Sequence, residues 1–395
     1  MQLLHTIEEP ATHPPRFALW QLGFRPFYLA GSTFAALSIL LWMLQLSGAL
    51  DTAYLTGPVW HAHEMLFGFA LAIIVGFLFT AGRNWTNQPT PTGPALAALL
   101  LLWLAARVLV LTPFGWLAAA ANVAFPLAAA VALAVPFIRA RNRRNYFFIG
   151  LLVVMALASG FVHLAQLGIV AAPAWAGLGL GLDVVLFIVA VMAGRVIPMF
   201  TNNGVPGAGA TRHAAVERAA LGSLLVLLAA DVAGIAGGWL VAVATLACIA
   251  HAVRWTLWRP WRTTGAALVW VLHLAYAWVP IHLGLRAAAE LGLVAASAAT
   301  HALTVGAVGA MIIGMITRTA RGHTARPLRA DRFDVACYLL VLLAGAVRVL
   351  VPLAWPVASL AALQASALLW SAGFALYAVR YWPVLTRARI DGRPG

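Results

Sequence analysis

The sequence predicts an all-α membrane protein with about 12 transmembrane helices, and three observations support this fold class. Apolar residues make up 63% of the 395 residues. Charged residues make up only 9%, against about 25% in soluble globular proteins. Apolar runs of about 20 residues recur along the whole chain, and each can cross a hydrocarbon layer of about 30 Å. These observations exclude a soluble enzyme, a DNA-binding domain and a β-barrel.

The predicted spans divide the chain into an N-terminal segment, 1–26, one membrane domain, 27–381, and a C-terminal tail, 382–395. In chain order the spans are 27–49, 61–82, 94–112, 115–138, 146–170, 176–200, 217–237, 239–258, 265–288, 292–317, 333–352 and 356–380. The first 25 residues carry Glu8, Glu9 and several prolines but no apolar core. We therefore expect no signal peptide there.

The distribution of arginine predicts how the spans cross the membrane. All 25 basic residues are arginine, and the net charge is +14. The N-terminal segment, the connections after spans 2, 4, 6, 8 and 10, and the tail, together with the span ends that adjoin them, hold 22 of these 25 arginines. Basic residues concentrate on the cytoplasmic side of helical membrane proteins. We therefore expect both termini in the cytoplasm, and we attribute the net charge to loop anchors rather than to nucleic-acid binding.

A weak internal repeat relates spans that are four apart in the chain. Spans 3, 7 and 11 each carry one charged residue in a similar Ala/Val/Leu frame, namely Arg107, Asp231 and Arg348. Spans 2, 6 and 10 also end alike, each with an arginine after a small or hydroxyl residue. This spacing predicts three four-helix repeats.

Histidines inside the spans are the residues most informative about function, because polar groups at bilayer depth are costly and usually functional. Six of them, including His282, fall in the outer half of the membrane or near its middle, and imidazole suits haem iron and copper. We therefore predict a shell of ligands for haem b and copper. Its members are His61, His63, His163, His273 and His301. We expect His251 and His282 to be structural.

The spacing of the first two histidines leaves two arrangements open. His61 and His63 are separated by one residue. On a continuous helix, residues two apart point about 200° apart, so the two imidazoles would serve different metals. If the helix begins only at Glu64, both could bind one ion.

Charged residues in the outer half supply candidate partners for these ligands. Arg107 and Arg348 are candidates for binding haem propionates, because arginine pairs with carboxylates through two hydrogen bonds. Mutual pairing or snorkelling to the interface is the alternative. Three acids are candidates for a proton relay or for holding the second nitrogen of a ligand histidine. They are Glu64, Asp183 and Asp231.

Several separated motifs resemble the NnrS family over nearly the whole chain. They are Trp60–Phe69, Gly194–Asn203, Leu272–Trp278, His301–Ala307 and Gly322–Arg326. The last has Ala325 where the family tends to have glycine. The resemblance implies a bacterial inner-membrane protein that contains haem and copper and is linked to nitric oxide tolerance. His61, His63, His273, His301 and His323 match family histidines, and we leave His323 out because it lies on the opposite side of the membrane.

Twelve spans in three repeats also resemble the catalytic subunit of haem-copper oxidases, in which spans 2 and 10 supply haem ligands. This likeness concerns the fold and gives no chemistry by itself. Span 7 here has Asp231 and no histidine, unlike that family, so a standard oxygen-reducing centre is not expected.

The leading hypothesis is a haem–copper protein that binds or turns over nitric oxide, with a quinol or cytochrome as its electron donor if it is an oxidoreductase. Two alternatives stay open. One is a transporter with 12 spans, which would show helices broken near the middle of the membrane. The other is a quinol-linked cytochrome b without nitric oxide chemistry.

Overall fold

The computed structural model describes residues 17–393 of the chain. Residues 1–16 of the predicted N-terminal segment and the last two residues of the predicted tail lie outside the described residues. Within 17–393 the regular elements are all helical. The twelve long helices are α1 Phe24–Leu46, α2 Gly57–Thr86, α3 Gly93–Leu109, α4 Gly115–Arg139, α5 Phe147–Gln166, α6 Ala174–Gly204, α7 Ala214–Val232, α8 Gly238–Leu257, α9 Ala267–Glu290, α10 Ala296–His323, α11 Arg332–Ala354 and α12 Ser359–Thr386.

Each predicted span overlaps one of these helices, so the predicted all-α membrane fold is confirmed. Ten helices in the described part are long and apolar enough to cross a membrane. The other two are α3, an apolar helix of 17 residues, and α7, which carries Glu217, Arg218 and Asp231. The chain is a multi-pass membrane protein. The threefold repeat stays a prediction.

The packing brings the two ends of the chain together and places α6 beside both α2 and α10. Helix α12 packs along α1 and α11, and its Trp370 Nε1 donates to the carbonyl of Ala35 in α1 at 3.1 Å. Helices α2 and α10 both contact α6 near the start of their own sequences. Because both helices begin at the same end of the bundle, their histidines are brought to one level.

Helices α2 and α10 share a local irregularity. Residues Glu64–Ala70 of α2 and Ala302–Gly309 of α10 form π-helical turns, in which the backbone bonds run from residue i to i+5. Such turns are rare and often occur at functional sites. Each begins directly after a histidine, His63 in α2 and His301 in α10. The helices nevertheless continue without a break on either side.

Candidate metal centres

The two histidines at the start of α2 point to different neighbours. The helix begins at Gly57, so it is continuous through His61 and His63. His61 faces His301 of α10, whereas His63 faces His163 of α5. Of the two arrangements left open by the sequence, the continuous helix is the one observed. The site therefore consists of two histidine pairs on opposite sides of α2.

The His61–His301 pair spans helices α2 and α10. Its imidazole rings are nearly parallel, with an interplanar angle of 10° and centroids 6.5 Å apart. His301 Nδ1 donates to the Ser297 carbonyl at 2.7 Å, so Nε2 of the neutral ring keeps its lone pair. His61 makes no hydrogen bond among the described residues, and its Nδ1 is buried without a partner. Trp42 also stacks on His61, at 5.1 Å between centroids.

Both rings line a cavity of about 560 Å³ between α1, α2, α6, α10, α11 and α12. That volume is within the range of about 300–1,000 Å³ typical of cofactor and small-molecule sites. Most of its wall is apolar and aromatic, and Trp175 and Trp370 contribute large surfaces. Arg348 also lines the cavity, as expected for one of the two predicted propionate ligands.

The His63–His163 pair is sealed inside the protein. Both side chains are fully buried, and the ring centroids lie 4.9 Å apart with the planes at 77°. His63 Nδ1 lies 2.8 Å from Glu64 Oε1, and His163 Nδ1 lies 3.0 Å from the Tyr54 hydroxyl. Each pairing leaves Nε2 as the free nitrogen, and both Nε2 atoms are buried without a hydrogen-bond partner.

Glu64 is the centre of the polar network around this pair. Its Oε1 accepts hydrogen bonds from His63 and from Arg107 Nη1, and Arg107 also donates to Asn122 of α4. A Cβ on Gly68 would lie 2.8 Å from Arg107 Nη1, so the absence of a side chain there lets the guanidinium approach α2. Arg107 is therefore the partner of Glu64, and it does not line the large cavity as a second propionate ligand would.

Tyr54 lies in the connection between α1 and α2, outside the helices. Burial raises the pKa of its hydroxyl to about 12. The phenol therefore stays protonated at neutral pH and can accept from His163 Nδ1 while its own proton points to the His163 carbonyl at 3.4 Å.

The structure places His273 away from both pairs. On the same helix, α9, His282 Nδ1 donates to the Ala299 carbonyl, so His282 lies level with the start of α10. His273 lies nine residues earlier, or about 14 Å along the axis at 1.5 Å per residue. Its Nε2 lies 2.8 Å from the Thr201 hydroxyl near the opposite end of α6. The predicted five-histidine shell is thus four histidines in two pairs, with His273 separate.

The remaining predicted acids contact an arginine rather than a histidine. Arg286 of α9 pairs with Asp231 of α7 and lies 3.8 Å from Asp183 of α6. This cluster ties three helices together. Of the three acids, only Glu64 holds a histidine nitrogen, as expected of a residue that orients a metal ligand.

Sequence reasoning missed Tyr54 and Trp42, which contact the histidine pairs, and Asn122, which accepts a hydrogen bond from Arg107 beside them. Asn122 carried a usable signal, since it is an amide inside an apolar span. Tyr54 lies in a loop and Trp42 is one of 16 tryptophans, so nothing in their spacing distinguished them. Within residues 17–393 no group of three or more His, Cys, Asp or Glu side chains is arranged to hold a metal ion.

A protein-family model matches nearly the whole chain. The model of the family described as NnrS protein matches residues 18–389. No curated protein matches the chain. The matched region includes all twelve helices, both histidine pairs and Glu64. The chain belongs to the NnrS family, which is linked to the nitric oxide response.

Proposed function

We propose that this protein is a haem–copper membrane protein that binds or turns over nitric oxide and so contributes to nitric oxide tolerance. The observation that carries the proposal is the pair of buried imidazoles, His63 and His163, whose Nε2 atoms have no hydrogen-bond partner. A buried polar atom without a partner is costly, by about 1–3 kcal/mol. Two such atoms, on rings whose centroids lie 4.9 Å apart, favour a ligand that satisfies both.

Copper suits the His63–His163 pair. Imidazole is a good copper ligand, whereas structural zinc sites take four protein ligands, and only two histidines meet here. The second nitrogen of each ring already has a partner, Glu64 for His63 and Tyr54 for His163. Metal-ligating histidines almost always have such a partner, because it fixes the tautomer and the orientation of the ring.

Haem b suits the cavity between His61 and His301. Two imidazoles with nearly parallel planes face each other across helices α2 and α10, and the cavity of about 560 Å³ that they line is of cofactor size. Arg348 is positioned to pair with a propionate. Haem and copper would supply the redox chemistry and the binding of a diatomic gas. The chain itself orients the ligands, and the apolar wall excludes water.

The two centres would lie close enough to act together. His61 and His63 are separated by one residue on α2, so only the width of that helix lies between the cavity and the sealed pair. Nitric oxide is small and apolar, and the walls of the cavity are mainly apolar side chains. These features support its entry from the lipid rather than through a polar channel.

We further propose that the arginine-rich connections face the cytoplasm of a bacterial cell and that both histidine pairs lie in the outer half of the inner membrane. The partition of the arginines supports this orientation. A cysteine introduced at Arg141 should resist labelling from outside intact cells and react after the cells are opened. Labelling from outside would overturn the proposed orientation.

Metal analysis and optical spectra of the purified protein test the proposal. We expect a haem spectrum that changes when nitric oxide is added, and copper in a fixed ratio to the protein. His301→Ala should remove the haem and leave the copper, whereas His163→Ala should remove the copper and leave the haem. His213→Ala, at an exposed loop position, is the matched control and should change neither.

Protein without haem and copper, or variants at both pairs that keep both metals, would contradict the proposal. The two alternatives predict other results. A transporter would move substrate into vesicles without haem, and the unbroken course of α2 and α10 does not favour it. A cytochrome b without nitric oxide chemistry would be reduced by quinol but would not react with nitric oxide.

A further inference from the structure

A second cavity, of about 420 Å³, opens at the arginine-rich end of the bundle, far from the histidine pairs. It is lined by Trp85, Asn142, Arg144, Asn145, Arg195 and Arg212. These residues come from the end of α2, the α4–α5 connection, α6 and the α6–α7 connection. Three guanidinium groups therefore border one cavity although they are distant in sequence. We call this group of six residues the arginine cavity.

The wall of the arginine cavity is held in place by a chain of hydrogen bonds. Arg195 Nη1 donates to Asn145 Oδ1 at 2.7 Å. Asn145 in turn donates to Asn142 Oδ1 at 3.0 Å, and Asn142 donates to the Trp85 carbonyl at 3.0 Å. Asn145 is buried. The polar groups of the wall are thus preorganised without any ligand.

Aromatic rings also lie close to the guanidinium of Arg195. Its Cζ lies 5.9 Å from the centroid of Trp85 and 5.6 Å from that of Phe148, and these two rings stack on each other. An arginine held by rings and by one amide loses little further freedom when it binds a ligand. Its remaining N–H groups have no acceptor among the described residues.

The charges around the arginine cavity are not balanced by protein groups. Arg144 has no carboxylate partner in the part of the chain that the structure describes. Arg212 Nη2 lies 3.6 Å from Glu217 Oε2, but that oxygen is already held by Arg254 at 2.7 Å. Three like charges around one concave site are stabilised by an anion. The planar guanidinium matches the oxygens of a phosphate group in particular.

We propose that the arginine cavity binds a phosphate group, carried either by an anionic lipid or by a soluble phosphate. Basic pockets between transmembrane helices at the membrane surface are suited to lipid head groups. Binding there would join α2, the α4–α5 connection and α6 through one ligand. The site is independent of the haem and copper proposal.

The test compares two double variants of the full chain that remove the same charge. Arg144→Gln with Arg212→Gln changes two exposed residues of the cavity, so the fold should be preserved. Arg143→Gln with Arg218→Gln changes two equally exposed arginines nearby that do not line it. Arg195 is kept, since its packing against the rings makes its substitution a test of folding as well.

Native mass spectrometry of the detergent-solubilised protein with phosphatidylglycerol, and with phosphatidylcholine for comparison, measures binding of lipid. Calorimetry with inorganic phosphate measures binding of the soluble anion. We expect the cavity variant to lose affinity by more than about tenfold, since charge-assisted hydrogen bonds are lost, and the control variant to stay within about twofold. A selective loss with phosphatidylglycerol assigns the site to a lipid, and one with phosphate assigns it to a soluble anion. Absence of binding in both arms, or an equal loss in both variants, would overturn the proposal.

Discussion

Two buried networks in this protein have almost the same composition but differ in their unpaired atoms. In the first, His63 and His163 lie with Glu64, Arg107 and Tyr54. The second, between α7, α8 and α9, contains His251, Arg254, Glu217 and Tyr276. Each network therefore combines histidine, arginine, glutamate and tyrosine inside the bundle. The difference between them lies in which atoms have partners.

In the second network the polar atoms of the side chains have hydrogen-bond partners. His251 Nδ1 lies 2.6 Å from the Tyr276 hydroxyl, and its Nε2 lies 3.0 Å from the Ala220 carbonyl. Arg254 holds both oxygens of Glu217, at 2.9 and 2.7 Å, and also donates to the Ala190 carbonyl. Nothing in this network needs a further ligand. It joins helices, as expected for a histidine with a structural role.

The first network leaves four buried atoms without partners. They are His63 Nε2, His163 Nε2, Glu64 Oε2 and Arg107 Nε. Native proteins pair the large majority of their buried polar atoms, so a concentration of unpaired atoms at one place calls for a ligand. Buried histidine in a membrane span is therefore not sufficient to indicate a metal. A cluster of unpaired atoms is the informative feature, since His273 Nδ1 is also buried without a partner but lies apart from both pairs.

The largest effect is expected from a substitution that disrupts the second network, in which the polar atoms have hydrogen-bond partners. Arg254→Ala leaves Glu217 with only the more distant Arg212 and removes a donor to the Ala190 carbonyl, and loss of one member of a buried ion pair costs about 3–5 kcal/mol. We expect a large fall in the unfolding midpoint in detergent, with unchanged metal content in the protein that remains folded. A variant as stable as the parent would show that the network is not structural.

Gly194→Ala tests the same contact, since its Cβ would overlap Arg254 Nη2.

The next largest effect is expected on the affinity for copper at the first network, after substitution of Glu64. Glu64→Gln weakens the acceptor for His63 Nδ1 and removes the charge that pairs with Arg107. Loss of a group that orients a metal-ligating histidine typically lowers metal affinity by 10–100-fold. Competition for copper with a chelator of known affinity measures the change. The control Glu290→Gln alters an acid that contacts only the Gly237 amide and should keep the parent affinity.

A smaller effect on stability is expected at His251. His251→Leu removes two hydrogen bonds, each worth about 0.5–1.5 kcal/mol net, while Tyr276 keeps its bond from Arg254. We therefore expect a modest loss of stability and unchanged haem and copper. Loss of either metal in a folded His251→Leu protein would mean that the distinction between the two networks is wrong.

The smallest effect is expected at Tyr54. Tyr54→Phe removes the hydroxyl beside His163 Nδ1 but keeps the ring, whose centroid lies 5.7 Å from that of His163. One neutral hydrogen bond is worth about 1 kcal/mol, so copper affinity should fall by about fivefold. A change as large as that of Glu64→Gln would show that the hydroxyl has a larger role than holding the ring.

The sequence predicted the fold well because each helix is a local consequence of its own residues. An apolar run of about 20 residues must form a helix in a bilayer, where every backbone group needs an internal partner. All twelve helices were therefore recognisable from the sequence, and their ends differ from the predicted ones by a few residues. Helix α10 runs to His323, beyond the predicted end at 317, because Arg318 and Arg321 are tolerated where a span leaves the membrane.

The candidate site was predictable as a set of residue types but not as a set of pairs. The spacing of His61 and His63 implied opposite directions on a continuous helix, and this is what the structure has. Depth along a helix was estimated from residue counting, which placed His273 near the other histidines. Its contact with Thr201 shows that it lies toward the opposite end of the bundle.

By itself, the sequence determined the membrane fold, the twelve helices, the family and the histidines worth testing, because these follow from local composition and motifs. Only the tertiary structure decided which side chains meet. It paired His61 with His301 and His63 with His163. It placed Arg107 against Glu64 and away from the large cavity. It also brought Arg144, Arg195 and Arg212 around one cavity. The physical reason is that such contacts depend on how helices far apart in the chain rotate and pack against each other, and no local pattern specifies that rotation.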